Sequence, residues 1–166
     1  MKLKLLWALP LVLVLLPSKL HAQARFAVYG TVGGETAGGP HETWDLAGTV
    51  GFYAGLKHAG PLNLSLDARA DLSDDVKSGL LGPRLALKFP LFPLKPYGEF
   101  LVGFSDYNQT ASFPNGSQFA ARYVLGADWT IFPHIDWRLV DFSYDLNTTP
   151  WDTHAKTLST GLVLRF

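Results

Sequence analysis

Apolar and polar residues largely alternate along the last twelve residues of the chain, 155–166. Leu158, Leu162, Leu164 and Phe166 share one parity, and the other parity carries mostly Thr, Ser, Gly and Arg. Because a β-strand turns successive side chains to opposite faces, this spacing predicts a strand with one apolar and one polar face. The same alternation recurs and predicts eight strands in total, over residues 25–34, 45–58, 62–72, 79–89, 96–106, 118–131, 136–146 and 155–166.

The connections between these strands alternate in character. Residues 58–61, 90–95 and 132–135 are short or contain proline, whereas 35–44, 73–78, 107–117 and 147–154 are mostly longer and richer in Gly, Asn, Thr and Asp. In an up-and-down meander successive connections lie at opposite ends, so one end is predicted to be tight and the other rich in loops. Outer-membrane barrels show this asymmetry. Pro83 lies inside the fourth strand and predicts a bulge or local irregularity there.

Two architectures fit eight meandering strands: a soluble lipocalin-like barrel with its apolar parity inside, and a membrane barrel with its apolar parity facing lipid. The polar parity combines glycines with isolated charges of both signs, which suits a narrow lumen better than a solvated surface. Strands of about ten to twelve residues match the ~9–11 that cross a bilayer at a tilt. Aromatic residues near both strand ends resemble interfacial girdles, namely Phe89, Trp129 and Phe132, and Phe104, Phe119 and Tyr144.

The sequence therefore predicts an all-β protein, a closed eight-stranded antiparallel transmembrane β-barrel. Closure follows because an open strand edge in lipid would leave backbone N–H and C=O groups unsatisfied, so the first strand must pair with the last. The last strand, 155–166, is thus expected to lie between 136–146 and 25–34.

The N-terminal residues 1–24 are predicted to be a cleaved signal peptide. A basic start, Met1–Lys4, precedes an apolar run over 5–16, and Ala22-Gln23-Ala24 has the small-residue spacing of a cleavage site. The apolar run is short for the ~20 residues of a spanning helix. The barrel domain is then 25–166, with 11 basic and 14 acidic residues and no cysteine. The sequence has no basic patch of the kind that indicates nucleic-acid binding. It predicts no cofactor or metal site.

The candidate functional site is a set of charges on the inward parity. Glu99, Arg122, Asp128 and Asp141 lie on neighbouring strands and are predicted to form one network. The same lumen set contains Asp67, Arg69 and Arg84, and also Lys57, Asp71, Lys88, Asp145 and Arg165. Isolated charges in a narrow lumen are costly, so opposite signs are expected to pair and plug it. An eight-stranded barrel has room inside only for side chains.

The outward parity is predicted to carry no charge in mid-strand. Asp106, Asp136 and Arg138 fall on this parity and are placed at strand ends. A charge facing the middle of the bilayer costs about 2–4 kcal/mol, so this distribution is consistent with a lipid-facing exterior.

The signal sequence, the eight alternating strands and the terminal Phe166, preceded by Leu164 and Leu162 at two-residue steps, resemble the small OmpA/OmpX-type outer-membrane β-barrel family of Gram-negative bacteria. The resemblance covers the whole mature chain. It implies export to the cell outer membrane and insertion by the barrel assembly machinery, which reads such a terminal strand. Phe166, Leu164 and Leu162 would be that assembly signal.

Three functions remain open. The first is a structural or surface-interaction role for a plugged monomer, with outer-membrane lipid as its surroundings and an extracellular ligand contacted through the loop aromatics Trp44, Phe113 and Trp151. The second is a narrow channel. The third is a lipid-modifying enzyme, as some barrels of this size are; the His-x-Ser-Asn signature of the deacylases is absent, and 141–144 reads Asp-Phe-Ser-Tyr. We expect no enzymatic activity.

Overall fold

Eight β-strands close into one antiparallel barrel. The computed structural model describes residues 26–36, 43–73, 76–89, 91–107, 116–146 and 154–166. Each strand pairs with its neighbours in chain order, and the first pairs with the last. The strands are β1 (Phe26–Thr36), β2 (Asp45–Ala59), β3 (Leu62–Ser73), β4 (Val76–Leu87), β5 (Leu94–Tyr107), β6 (Gly116–Phe132), β7 (Ile135–Leu146) and β8 (Lys156–Arg165). Among the described residues, no helix is long and apolar enough to span a membrane.

The C-terminal strand β8 closes the barrel as the sequence predicted. Val28 pairs with Leu164 on the β1 side, and Phe142 pairs with Leu158 on the β7 side. The backbone N–H of Phe166 donates to the carbonyl oxygen of Phe26 at 2.8 Å, which extends the pairing to the last residue. Every strand edge is therefore satisfied within the chain, as a barrel in lipid requires.

The two faces of the sheet have opposite character. Large apolar side chains cover the outside on every strand, including Val50, Leu66, Leu81, Phe104, Leu125, Phe142 and Leu162. The inside carries nearly all of the buried polar and charged side chains, together with small apolar clusters such as Leu101 and Val124. The apolar parity thus faces outward, which confirms the predicted orientation. It also excludes the soluble lipocalin-like alternative, in which the apolar side chains would be enclosed.

Strand β7 departs from the predicted alternation. Asp136 and Arg138 were placed on the outward parity, but both side chains are buried inside the barrel, with 1% and 0% of their surface exposed. The cause is a β-bulge: the register with β8 shifts between Arg138 and Asp141, so the residues before the shift face the opposite way from a continuous alternation. Trp137 lies outside instead, 46% exposed. A strict period of two fails at such a shift.

The expectation for Lys57 was wrong, whereas the local irregularity expected at Pro83 is present without a bulge. Lys57, predicted to face inward, is exposed and pairs with the outward Leu64, because the register shifts between Gly55 and Lys57. Pro83 causes no shift of register: it pairs with Leu66, and only its pairing with β5 is interrupted. Its side chain faces outward, where the missing N–H interrupts one ladder without moving the strand.

The barrel ends differ largely as predicted. One end carries the connections at 60–61, 88–93 and 133–134, and we call it the turn end; the opposite end is the loop end. Residues 37–44, 108–115 and 147–155 separate strands at the loop end. The predicted loop 73–78 is shorter, because β3 extends to Ser73 and β4 starts at Val76.

Candidate functional site: a charged layer across the lumen

Arg69 is the hub of an ion-pair network in the middle of the lumen. Its Nη2 donates to Glu99 Oε2 of β5 at 2.6 Å, and its Nη1 donates to Asp141 Oδ1 of β7 at 3.2 Å. Its Nε lies 3.8 Å from Asp67 Oδ1 on the same strand. These side chains are at most 4% exposed. One guanidinium thus connects strands on opposite sides of the barrel and closes the space between them.

Arg84 and Arg138 complete this network around Asp128. Arg84 Nη2 donates to Asp128 Oδ2 at 2.9 Å, and Arg138 Nε donates to Asp128 Oδ1 at 3.0 Å. Arg84 Nε also lies 3.1 Å from Glu99 Oε1, and Arg138 Nη1 donates to Asp141 Oδ2 at 3.2 Å. Three arginines and four carboxylates therefore form one continuous cluster. The shared carboxylates stabilise buried charges that would be costly alone.

Three inward tyrosines stack between the arginines. The Arg84 guanidinium lies 4.3 Å from the ring centroids of both Tyr53 and Tyr97. The Arg138 guanidinium lies 4.7 Å from Tyr97 and 4.0 Å from Tyr29. The order across the lumen is therefore Tyr53, Arg84, Tyr97, Arg138, Tyr29, an alternation of ring and cation that we call the stacked layer. Cation–π contacts of this kind are strengthened where water is excluded.

The tyrosine hydroxyls tie the stacked layer to the ion pairs. Tyr29 Oη donates to Asp67 Oδ1 at 2.7 Å, and Tyr97 Oη donates to Asp141 Oδ2 at 2.6 Å. Charge-assisted hydrogen bonds of this length are among the stronger ones in proteins. The layer is thus held by stacking, ion pairs and hydrogen bonds together.

Two glycines make room for the tyrosine rings. Tyr29 pairs across the ladder with Gly51, and Tyr97 pairs with Gly126. A Cβ added to Gly51 would lie 2.4 Å from the Tyr29 ring, and one added to Gly126 would lie 2.3 Å from the Tyr97 hydroxyl. Each ring therefore lies against the bare backbone of its partner, and a Cβ at either glycine would displace the ring.

Replacing Gly126 with alanine should destabilise the barrel by about 1–3 kcal/mol, the usual cost of overpacking, because Tyr97 must leave its place between the two arginines. The free energy of unfolding in urea, followed by tryptophan fluorescence, measures this. Gly79→Ala is the matched control, since nothing lies within 4 Å of a Cβ added there. Equal stability of the two variants would show that the ring position is unimportant.

Arg122 belongs to a separate cluster nearer the loop end. Its Nη1 donates to Asp71, and its Nε and Nη2 donate to Asp145, the latter at 2.9 Å. Asp71 also accepts hydrogen bonds from Thr49 at 2.6 Å and Ser78 at 2.7 Å. The prediction of one network containing Glu99, Arg122, Asp128 and Asp141 is therefore wrong for Arg122. Arg122 lies six residues from Asp128 along β6, so its guanidinium is within reach of different carboxylates.

A third cluster lies at the turn end. Lys95 Nζ donates to both oxygens of Asp136, at 2.9 and 2.8 Å, and Arg165 Nε lies 2.9 Å from Asp136 Oδ2. Asp136 reaches these cations because the β7 bulge turns it inward. Here two cations share one carboxylate, the reverse of the carboxylate excess at Arg122.

The remaining predicted residues lie outside the lumen. Leu162, Leu164 and Phe166 face outward, 54%, 44% and 73% exposed, and Phe166 contacts the ring of Phe26. Trp44 is exposed at the loop end. Phe113 and Trp151 lie outside the described residues. Of the twelve charges predicted to face the lumen, nine are buried inside the barrel, Lys88 and Arg165 are partly exposed, and Lys57 is exposed.

Arg138 and the three tyrosines of the stacked layer were missed from the sequence. Arg138 was missed because its parity predicted the outer face, and the β7 bulge turns it inward. The tyrosines fall on the polar parity, where an aromatic residue opposite a glycine was an available signal. Register between strands is needed to recognise such pairs, and spacing along one strand does not supply it.

Comparison with protein-family models finds no match, and comparison with curated proteins finds none. Solved structures do match. The structure is similar to that of Neisserial surface protein A, at 13% sequence identity over 87% of this chain and 98% of that chain, with a TM-score of 0.59. It is similar to the outer membrane enzyme PagL, at 14% identity over 83% and 98%, with a TM-score of 0.55. The N-terminal β-barrel domain of Pseudomonas aeruginosa OprF matches at 15% identity over 87% and 100%, with a TM-score of 0.52.

The chain thus has the fold of the eight-stranded outer-membrane β-barrels. At these identities the likeness establishes the fold alone. It confirms the predicted fold class and, at that level, the resemblance to small OmpA/OmpX-type barrels.

Proposed function

We propose that this protein is a plugged barrel of the outer membrane with a structural or surface-interaction role, not a channel. The stacked layer carries this proposal. Three tyrosines and two arginines follow one another across the lumen, and Arg69, Glu99, Asp128 and Asp141 fill the space beside them. An ion crossing this level would have to break several buried ion pairs at once, each costly to open.

The folded protein in a planar bilayer should therefore show no stable open levels. A double variant, Arg84→Ala with Tyr97→Ala, removes two adjacent members of the stacked layer and should produce measurable conductance. Phe100→Ala on the same strand is the control, because Phe100 faces outward and contacts only Tyr123 among aromatic rings of the described residues. Stable open levels in the unaltered protein would overturn the plug.

We assign no catalytic role. PagL is an outer membrane enzyme, but the likeness to it is one of fold. Of the histidines described here, His134 Nδ1 lies 3.2 Å from the carbonyl oxygen of Arg165, and His154 Nδ1 lies 3.3 Å from that of Asp145. Rings held by backbone carbonyls are poorly placed to activate a nucleophile. Release of fatty acid from outer-membrane lipid by the purified protein would contradict this assignment.

We propose that an extracellular ligand is bound at the loop end. Loops on a rigid barrel can change their chemistry without changing the fold. Trp44 is 54% exposed beside β2 and offers an aromatic anchor. Replacing residues 108–115 and 147–153 with Gly-Ser sequences should leave heat-modifiable gel migration unchanged and abolish attachment of the bacteria to a binding surface. Unchanged attachment would show that residues 108–115 and 147–153 do not carry the interaction.

We also propose that the protein is exported through a cleaved signal peptide, is inserted by the barrel assembly machinery and is a monomer. The outward Leu162, Leu164 and Phe166 support the last point, because a surface formed by the terminal strand is accessible to a partner before the barrel meets lipid. Phe166→Ser should reduce outer-membrane insertion in cells while leaving refolding in detergent unchanged.

A further inference from the structure

A group of apolar side chains is exposed at the turn end, on one side of the barrel. It belongs to the β4–β5 connection and the end of β6, and we call it the apolar ridge: Phe89, Leu91, Phe92, Trp129, Ile131 and Phe132. The exposed fraction ranges from 37% for Trp129 to 98% for Leu91. Contiguous exposed apolar surface of this kind marks a site of interaction with a protein or a membrane.

The ridge has more apolar surface than the outer face of a strand provides. In a regular strand only every second side chain faces outward. Leu91 and Phe92 are nevertheless both exposed in the connection, and Ile131 and Phe132 are both exposed at the end of β6. The second pair arises because the register with β7 shifts between Thr130 and Phe132, which leaves Ile131 as an extra residue. The ridge therefore extends beyond the alternating wall.

The ridge is continuous with the outer wall of the barrel. The ring of Phe92 lies 6.1 Å from the ring of Trp129, edge to face, so the connection packs onto the outward side of β6. The carbonyl oxygen of Pro93 accepts a hydrogen bond from the Thr130 N–H at 3.1 Å, which holds the end of the connection beside the same strand. The surface that faces lipid along β6 thus continues onto the connection without a break.

The backbone of the β4–β5 connection has few N–H groups to satisfy. Residues 90 and 93 are prolines, which have no N–H. The N–H of Lys88 donates to the carbonyl oxygen of Pro61 at 2.7 Å, and the N–H of Phe92 donates to that of Phe89 at 3.4 Å. Unsatisfied backbone donors are costly in lipid. A connection with two prolines and internal hydrogen bonds is therefore suited to a membrane interface.

The β2–β3 connection at the same end of the barrel has a different character. It reads His58-Ala59-Gly60-Pro61, and these exposed residues include no large aliphatic or aromatic side chain. The apolar surface therefore extends further toward the turn end along β4–β6 than along β2–β3. Such a one-sided extension is not explained by a girdle of uniform height around the barrel.

We propose that the apolar ridge inserts into the bilayer and anchors the β4–β5 connection in the periplasmic leaflet. Residues 89–94 read Phe-Pro-Leu-Phe-Pro-Leu and carry no charge, whereas a protein interface has a polar rim. The partner of this surface is therefore a lipid surface. The membrane boundary then lies nearer the turn end on the β4–β6 side than on the β2–β3 side. Because the ridge is on the outer wall, this proposal stands whether or not the lumen conducts.

The test measures depth with spin labels, which is direct because the chain has no native cysteine. Leu91→Cys, Ala59→Cys and Leu66→Cys each carry one nitroxide in vesicles of phosphatidylethanolamine and phosphatidylglycerol. Power-saturation EPR compares collisions with oxygen, which concentrates in lipid, and with a water-soluble nickel chelate present on both sides of the membrane. The oxygen-to-nickel ratio at residue 91 should approach that at residue 66 on the outer wall and exceed that at residue 59 several-fold.

Ala59→Cys is the matched control, because Ala59 is exposed in a connection at the same end of the barrel. Heat-modifiable gel migration shows that each labelled variant has folded. Equal ratios at residues 91 and 59 would overturn the proposal and indicate a water-exposed surface, as for docking of a periplasmic protein. Low collision rates with both reagents at residue 91 would also overturn it. If Leu91→Cys does not fold, Phe132→Cys decides in the same way from the end of β6.

Discussion

Replacing Arg69 with methionine should lower the free energy of unfolding by about 3–5 kcal/mol, the cost of removing one partner from a buried ion pair. Methionine keeps most of the side-chain volume, so the loss reflects charge. Glu99 would keep only Arg84, which lies 3.1 Å away without an aligned hydrogen bond, and Asp67 would keep only the hydroxyl of Tyr29. Equilibrium urea unfolding in lipid vesicles, read by tryptophan fluorescence, measures the change.

A compensating variant separates charge from packing. Adding Glu99→Gln to Arg69→Met removes the carboxylate that the first substitution leaves without its partner. The double variant should therefore lose less unfolding free energy than the sum of the losses in the two single variants. Leu66→Met on the same strand is the packing control, because Leu66 faces outward. Additive effects in the double variant would mean that Arg69 and Glu99 do not interact energetically.

Arginine placed on the outer face of β3 should destabilise the barrel according to depth. Leu66→Arg, near the middle of the strand, should cost about 2–4 kcal/mol, whereas Leu62→Arg and Leu72→Arg near its ends should cost about 0–1 kcal/mol. All three leucines face outward on the same strand, so each is a control for the others. The physical reason is that the charge must leave the hydrocarbon region, and only the terminal positions reach water easily.

The measurement is again urea unfolding in lipid vesicles. In detergent, where the apolar layer adapts to the protein, the depth profile should flatten. Equal, small effects at all three positions in lipid vesicles would contradict a lipid-facing exterior, because substitutions on a hydrated surface stay within about 0.5 kcal/mol.

The barrel could be predicted from the sequence because its determinants are local. Alternation specifies which face each residue occupies, and lipid requires that the strands close. Leu158 and Leu164, for example, lie where alternation placed them, paired with β7 and β1. The bounds of β4 were less accurate, because Lys77 and Ser78 resemble loop residues and only their pairing with β5 makes them part of the strand.

The candidate site was predicted in part. Alternation found Arg69, Arg84, Glu99 and Asp128 on the inner face, but their partners depend on the stagger between strands. Arg122 illustrates this: its nearest carboxylates are Asp145, its direct cross-strand partner, and Asp71 from across the lumen. Neither contact can be predicted from the spacing of residues along β6 alone. Patterns of this kind do not identify an extracellular ligand.

The bulge in β7 determines which residues of that strand face the lumen. In a regular strand, residues three positions apart face opposite sides, yet Arg138 and Asp141 form an ion pair inside the lumen. The one extra residue that β7 has relative to β8 between Arg138 and Asp141 therefore reverses which side of the barrel wall the residues before it face. A single extra residue thus transfers Asp136 and Arg138 from the lipid-facing to the lumen-facing side of β7, where both form ion pairs.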